Sequence, residues 1–448
     1  MTTVRGVHYR KAGGRLIALL AAVALASVAC SPSNDESSGD GVVHGVTDEA
    51  IKIGFAVTDP KVGNNTFSKV GSEGVTIPDE RGIVDAVVRH INENGGIAGR
   101  KVEPVFRMNT EDDTAPEMQA VCAAFTEETP VFAGYTTNAS AGTVRQLVDC
   151  MVEHETVFLL NTRSIVDDKD FEKWNPYVYA PGVLSAQRWT SVIDDLAKTD
   201  YFGNGAKVGL VSIQEPGSQE LVEKVVKPAL EKKGVNVAAT VATSSFSDLS
   251  GISQVASQAN NFVVQFKNEG IDRVMFVGTY SAASWFFPQA AEQQNYHPRY
   301  ALNSTEAPGA LALNQPKAQL KGAVGVGWLP MLDVTAEQDP GDNGAQKECV
   351  NILQKAGVKA DTRASEFQIL GICDSLFFLQ KALRDVEHPT AESLRDAVAK
   401  LGSSYQSPLT PRTDFGSGRS DGVGATRTFE YDEGCSCFKY KSAWADIP

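Results

Sequence analysis

No C-x-x-C pair and no cluster of cysteine with histidine occurs in the 448 residues, and the six histidines are scattered, so a metal has no ligand set and no cofactor is expected. The H-E-x-x-H helix and the G-x-x-x-x-G-K-[ST] phosphate loop are missing as well, and no nucleophile stands at a recognisable spacing from a base. Enzymatic activity is therefore not expected. Glu153, His154 and Glu155 resemble acid–base machinery, but they close a helix, where a solvated face accounts for them. Basic residues are short, 41 against 55 acidic ones, and the formal charge of −14 gives no reason to bind nucleic acid or anionic lipid. Long apolar runs are scarce too: the leading one, LIALLAAVALASVA, falls short of a comfortable membrane span.

What is there reads as a folded body, since 42% hydrophobic and 21% charged residues is a globular composition with material for two or more cores. The leading apolar run follows Arg5, Arg10, Lys11 and Arg15 and stops at small residues before Cys30, which reads as a secretory signal peptide over 1–29. Residues 30–45, beginning with the polar stretch SPSNDESSGDG after Cys30, read as a tether.

From residue 51 onward, short β-rich runs alternate with helical segments. IKIGFAV, KVEPVF, VFAGY and TVFLLN are separated by helices over 78–94, 114–129 and 140–155. A second series, KVGLVSI, NVAATVAT, RVMFVGT, RYALNS and GAVGVGW, is interleaved with helices over 184–199, 217–233, 250–269 and 281–294. Residues 342–402 read as helical, and ATRTFEYD and CFKYKS close the chain as strands. Strands that are apolar nearly throughout belong in a sheet buried on both faces, so the fold class is α/β with two Rossmann-like units, each a parallel sheet covered by helices.

Export permits disulfides, and besides Cys30 there are six cysteines, Cys122, Cys150, Cys349, Cys373, Cys435 and Cys437, an even number that fits three bridges. Cys349 and Cys373 lie equally far along the chain from Asp361, so in an antiparallel helical hairpin they face each other. With right-handed crossovers and strand order 2-1-3, the helices carrying Cys122 and Cys150 lie side by side. Cys435 and Cys437, one serine apart, are left to close a small ring.

Two stretches carry resemblances to known families. Small residues ahead of Cys30, then a polar leash, resemble the lipobox of bacterial lipoproteins, which implies cleavage before Cys30 and its lipidation. Plain secretion, with Cys30 a free or paired thiol, is the alternative. HINENGGIAGRKVEPVFRMN matches a helix-ending pattern N-x-x-G-G-I-x-G-R through Asn92, Gly95, Gly96, Ile97, Gly99 and Arg100. PVFAGYTTNASAGTV, VGLVSIQEPGSQELVEKV and DRVMFVGTYSAASWFFPQAAEQQ follow in order, so residues 46–448 resemble the type I periplasmic binding proteins, the substrate-binding proteins of branched-chain amino acid ABC transporters.

That resemblance implies two lobes joined by three crossing hinge strands near Pro181, Pro330 and Ser404. Lobe one would comprise 46–181 with 331–404, and lobe two 182–330 with 405–448. It implies an exported monomer, anchored by lipid outside the cytoplasmic membrane, that captures a small molecule and delivers it to a permease with an ATPase partner. A sensor that signals to a membrane receptor uses the same clamp, and an exported enzyme is the third possibility.

Ligands of open parallel sheets gather at the carboxyl ends of strands. That rule selects Thr136, Thr137, Asn138 and Ser140, then Asn161, Thr162 and Arg163, in the first series, and Gln214, Glu215, Tyr280, Ser281 and Glu306 in the second. Thr136, Thr137, Asn138 and Ser140 match the family's carboxylate-receiving loop, although Asn138 or Ser140 also serves as a helix cap. Arg163 offers a fork for an anion or stays a solvated surface arginine; Tyr280 and Trp285 could wall an apolar ligand, Trp285 being equally a core residue. The amino-acid signature is altered: Pro216-Gly217 stands where the family has Tyr-Gly, and Ala283 where it has an acid for the ligand's ammonium. Glu215 or Glu306 would have to compensate. The ligand class stays open among amino acids, amides, aromatic acids and other small polar metabolites.

Overall fold

AIKIGFAVT forms the first strand, β1 (Ala50–Thr58), and its burial on both faces demands a helix on each side of the sheet. The computed structural model describes residues 43–60, 78–109, 114–137, 141–162, 164–203, 205–244, 249–278, 282–341, 343–358 and 363–448. Helix α1 (Glu80–Glu93) starts at Asp79, whose carboxylate accepts the Gly82 N–H at 3.1 Å, and turns Ile83, Val84, Val87, Val88 and Ile91 inward.

The glycine-rich junction after α1 is a structural staple. Gly96 takes φ +71°, and a Cβ there would lie 1.9 Å from the Arg100 carbonyl oxygen, so only glycine fits. The Asn92 side chain exchanges two hydrogen bonds with Val102, at 3.0 and 2.7 Å, standing in for a neighbouring strand. Arg100 donates to the carbonyl of Ala98 within the turn and to those of Thr47 and Glu387, tying two distant segments to it.

β2 (Lys101–Asn109), α2 (Ala115–Ala123), β3 (Ala133–Thr136), α3 (Ala141–Glu153), β4 (Val157–Leu159), α4 (Asp168–Trp174) and β5 (Val178–Tyr179) complete a parallel sheet of order β2-β1-β3-β4-β5. The second sheet takes in α5 (Trp189–Leu196), β6 (Lys207–Ile213), α6 (Pro216–Glu220), α7 (Lys227–Lys232), β7 (Asn236–Thr243), α8 (Leu249–Glu269), β8 (Arg273–Phe276), α9 (Ala282–Gln293), β9 (Arg299–Asn303), α10 (Pro308–Asn314), α11 (Lys317–Leu320) and β10 (Val324–Gly327). Its parallel strands run β7-β6-β8-β9-β10.

The chain then leaves this sheet through α12 (Pro330–Asp333) and lays α13 (Gly344–Lys355) and α14 (Arg363–Ala382) against α1, with α15 (Ala391–Leu401) packed on α14. It re-enters the second sheet as β11 (Ala425–Asp432), antiparallel to β10, followed by β12 (Cys437–Tyr440) and β13 (Ala445–Asp446), both paired with β11. Two parallel-sheet lobes of α/β type result, and the chain passes between them three times.

The first and third passages are stitched together. The Ala180 N–H donates to the Ser420 carbonyl at 2.8 Å, and the Gly422 N–H donates to the Ala180 carbonyl at 3.0 Å. Beside them the buried Arg188 and Asp421 side chains pair at 2.8 Å. Phe378 of α14 packs its ring on Tyr179, Tyr405 and Phe415, one from the first passage and two from the third, at 5.6, 5.7 and 5.3 Å. Gly418-Arg419-Ser420-Asp421-Gly422 has the spacing of a nucleophile elbow but leads into β11 instead of a helix, and its residues serve this stitch.

Three bridges are closed: Cys122–Cys150 between α2 and α3, Cys349–Cys373 between α13 and α14, and Cys435–Cys437 at the β11–β12 turn. The first two close loops of 28 and 24 residues, for which restricting the unfolded chain is worth about 3 kcal/mol each. The helices carrying Cys122 and Cys150 lie side by side as the right-handed crossover rule requires, and Cys349 and Cys373 face each other across a helical hairpin.

At the second passage Asp333 is fully buried, and burial lifts its carboxyl to about 7 against the opposing hydrogen bonds of Ser304, Tyr440 and the Leu329 N–H and the attraction of Arg363. A carboxyl raised from 3.8 in the unfolded chain contributes stability that is complete below about pH 4 and is lost as pH climbs towards 7. Relative to Asp333→Asn, the wild type should lose ~1.4 kcal/mol per pH unit across that window and level off above it, measured by denaturant unfolding. A difference that stays constant with pH contradicts the assignment.

Candidate functional site

The carboxyl ends of β3 and β4 converge on α14 and on the first and third passages, and between them lies a cavity open to solvent. Tyr135 and Thr137 reach it from β3, and Leu159, Leu160, Asn161 and Thr162 from β4. Phe367, Gln368, Gly371, Asp374 and Ser375 form the α14 wall, and Pro181 and Leu409 the wall made by the passages. Thr137, Asn161 and Thr162 of the residues selected from sequence are thus brought together. Thr136 lies beside them with its side chain fully buried, and its carbonyl accepts the Asn161 amide at 3.2 Å.

The Thr137 hydroxyl is committed within the protein. Glu80, the first residue of α1 and almost wholly buried, accepts the Thr58 N–H and the Thr137 hydroxyl through one oxygen, both at 2.7 Å. A carboxylate therefore already occupies the end of β1, the point where strand order reverses from β2 to β3. On the opposite wall Asp374 accepts the Tyr405 hydroxyl at 2.5 Å, and burial lifts its carboxyl to about 7 against the hydrogen bonds of Tyr405 and Ser407.

Residues selected from the second series stand apart from this cavity. Gln214 is exposed and donates to the Ala242 carbonyl at 3.1 Å, and Glu215 is buried at the start of α6. Glu306 is fully buried and accepts from the Thr305 hydroxyl at 3.2 Å and, at 3.5 Å, from the Asn303 amide. Asn138, Ser140, Arg163, Tyr280, Ser281 and Cys30 lie outside the described residues. Trp285 packs half-buried on the core of the second sheet, and Glu153, His154 and Glu155 are exposed, as a solvated helix end requires.

Glu80, Gln368 and Asp374 went unnoticed in sequence because α1 and α14 read only as covering helices. A signal existed in LGICDSLFFL, where Asp374 is the lone charge in an apolar helical run. A buried acid needs partners, and here Tyr405 and Ser407 supply them from the third passage.

The two lobes meet at Ile165, just beyond Thr162. Gly278, at the end of β8, holds φ +58°, and a Cβ there would come within 2.9 Å of Ile165 Cδ1. At Gly217 a Cβ would stand 3.1 Å from the Ile165 carbonyl oxygen and 3.3 Å from Arg145 Nη2. Arg145 is fixed by a fork to Asp170, so it has little room to yield. Glycine at 217, next to Pro216, lets the backbones close on each other.

The family model described as periplasmic binding protein matches residues 71–434. No curated protein sequence matches the chain. Among solved structures, the solute-binding protein of an ABC transporter from Rhodopseudomonas palustris HaA2, in complex with p-hydroxybenzoic acid, is 13% identical over 89% of this chain and 98% of that one, with a TM-score of 0.65. A branched-chain amino acid ABC transporter protein from Thermus thermophilus with bound valine is 14% identical over 89% and 96%, with a TM-score of 0.64. An ABC transporter substrate-binding protein from Desulfitobacterium hafniense in complex with leucine is 16% identical over 88% and 100%, with a TM-score of 0.58. These likenesses are likenesses of fold.

Gly217→Leu should push the lobes apart at Ile165: solution scattering would show a larger radius of gyration with unchanged circular dichroism. An unaltered radius would mean that the lobes do not depend on this approach.

Proposed function

Because the chain belongs to the periplasmic binding protein family, we propose that it is an extracytoplasmic solute-binding lipoprotein of an ABC importer, which captures a small polar metabolite in the cleft between its lobes. Amino acids, amides and related organic acids are the ligand classes. Leucine, valine and p-hydroxybenzoic acid in proteins of like fold support that range. Lobe one comprises 46–181 with 331–404 and lobe two 182–330 with 405–448, joined near Pro181, Pro330 and Ser404.

One observation carries the proposal: the cavity at the ends of β3 and β4 shares its walls with the segments that pass between lobes, through Pro181 and Leu409. A solute there touches both a binding surface and the hinge, so the closed arrangement gains contacts that an open one lacks. Thr137, Asn161 and Thr162 contact the solute from lobe one. Thr136, Asn138, Ser140 and Arg163 complete that side, and Gln214, Glu215, Tyr280, Ser281 and Glu306 face it from lobe two on closure. A permease and its ATPase then receive the solute from a monomer held to the membrane by lipid on Cys30.

A metabolite-library melting screen tests the binding function. At about a hundred times its Kd, a ligand adds about 2.7 kcal/mol to folding stability and raises the unfolding midpoint, and the same compound should be recovered unchanged. Turnover without stabilisation overturns the proposal. For the anchor, Cys30→Ala should move the protein from the membrane fraction to the soluble fraction, and retention on membranes counts against lipidation.

A further inference from the structure

The α14 wall of the cavity presents two acceptors, beside the hydroxyls of Tyr135, Thr162 and Ser375. On the α14 wall, Asp374 presents a buried carboxyl, and Gln368 Oε1 is buried with no hydrogen-bond partner among the described residues. On the strand side, the Thr137 hydroxyl donates to Glu80, and one N–H of the Asn161 amide donates to the Thr136 carbonyl. Among the described residues lining the cavity there is an acid and no base. Leaving an acceptor such as Gln368 Oε1 buried and unmatched is costly, and a donor on the solute would recover that cost. An anionic end placed against α14 would face Asp374, with Glu80 behind Thr137, and no cation among the described lining residues to offset them.

We propose that the solute's end against α14 is a hydrogen-bond donor without negative charge, an amide, hydroxyl or ammonium, and that Asp374 and Gln368 select it. This rests on the solute-binding function proposed above and narrows its ligand class. Any carboxylate of the solute points away from α14. Asp374 also accepts the Tyr405 hydroxyl, so the group that reads the solute's inner end is bonded to the third passage. The selection is made beside the hinge.

Matched pairs of near-equal shape test it: glutamine against glutamate, asparagine against aspartate, and 4-carbamoylbenzoate against terephthalate, with 4-hydroxybenzoate against 4-methylbenzoate as the pair whose differing ends are both uncharged. Affinities are measured by calorimetry at neutral pH. In pairs that bind, the donor-ended member should bind about tenfold or more tightly than its partner, as a site built to receive a donor requires. Asp374→Asn should shrink the ratio to about threefold or less. Should that variant fold poorly, Gln368→Met, on a partly exposed residue, should weaken the donor-ended member about tenfold without lowering the unfolding midpoint. Equal or tighter binding of the carboxylate-ended or methyl-ended members, or ratios unmoved in both variants, overturns this inference and leaves the solute-binding function standing. If no compound of the panel or of the metabolite library binds, the function fails and this inference fails with it.

Discussion

Two peptide hydrogen bonds and a buried ion pair, between Ala180, Ser420 and Gly422 and between Arg188 and Asp421, bind the first and third passages into one ribbon. Everything that a two-lobed clamp must do depends on that ribbon. It must bend without unravelling, and it must hold the mouths of both sheets towards one gap. A buried ion pair adds little net stability over an apolar pair, but losing either partner strands a charge in the interior, at a cost of about 3–5 kcal/mol. Arg188 therefore fixes the register of the two passages more than it strengthens them. Phe378, packed on Tyr179, Tyr405 and Phe415, carries the same register into lobe one.

The cavity follows from where that ribbon lies. Pro181 and Leu409 belong to the passages and also face the space at the ends of β3 and β4, so hinge and site share a wall. A buried acid stands near each of two passages: Asp333 at the second and Asp374 against the third. Both are lifted to about 7 by burial and both are engaged by a tyrosine hydroxyl from the C-terminal part of the chain, Tyr440 and Tyr405. Each is held towards its neutral form, because charging a carboxyl in the interior costs free energy.

Much of the scaffold was legible in sequence because it is written in local terms. Apolar runs marked strands buried on both faces, and glycines at 95, 96 and 99 marked the turn that Asn92 and Arg100 secure. Cysteine spacing combined with crossover handedness paired Cys122 with Cys150 and Cys349 with Cys373. The strand-end rule selected Thr137, Asn161 and Thr162, which line the cavity, because it needs only the position of a loop after a strand. It missed Glu80, Gln368 and Asp374, which reach the region from helices far along the chain; their relevance depends on α1 and α14 packing against the sheet. Nor did sequence foretell that Thr137 would spend its hydroxyl on Glu80.

The most direct test is a crystal structure of the protein with the solute that most raises its unfolding midpoint. The solute should lie between Asn161 and Thr162 on one side and Gln368 and Asp374 on the other, with Ile165 seated against Gly217 and Gly278. A solute bound elsewhere, or bound here with the two sheets' mouths apart, would contradict a clamp whose hinge forms part of its site.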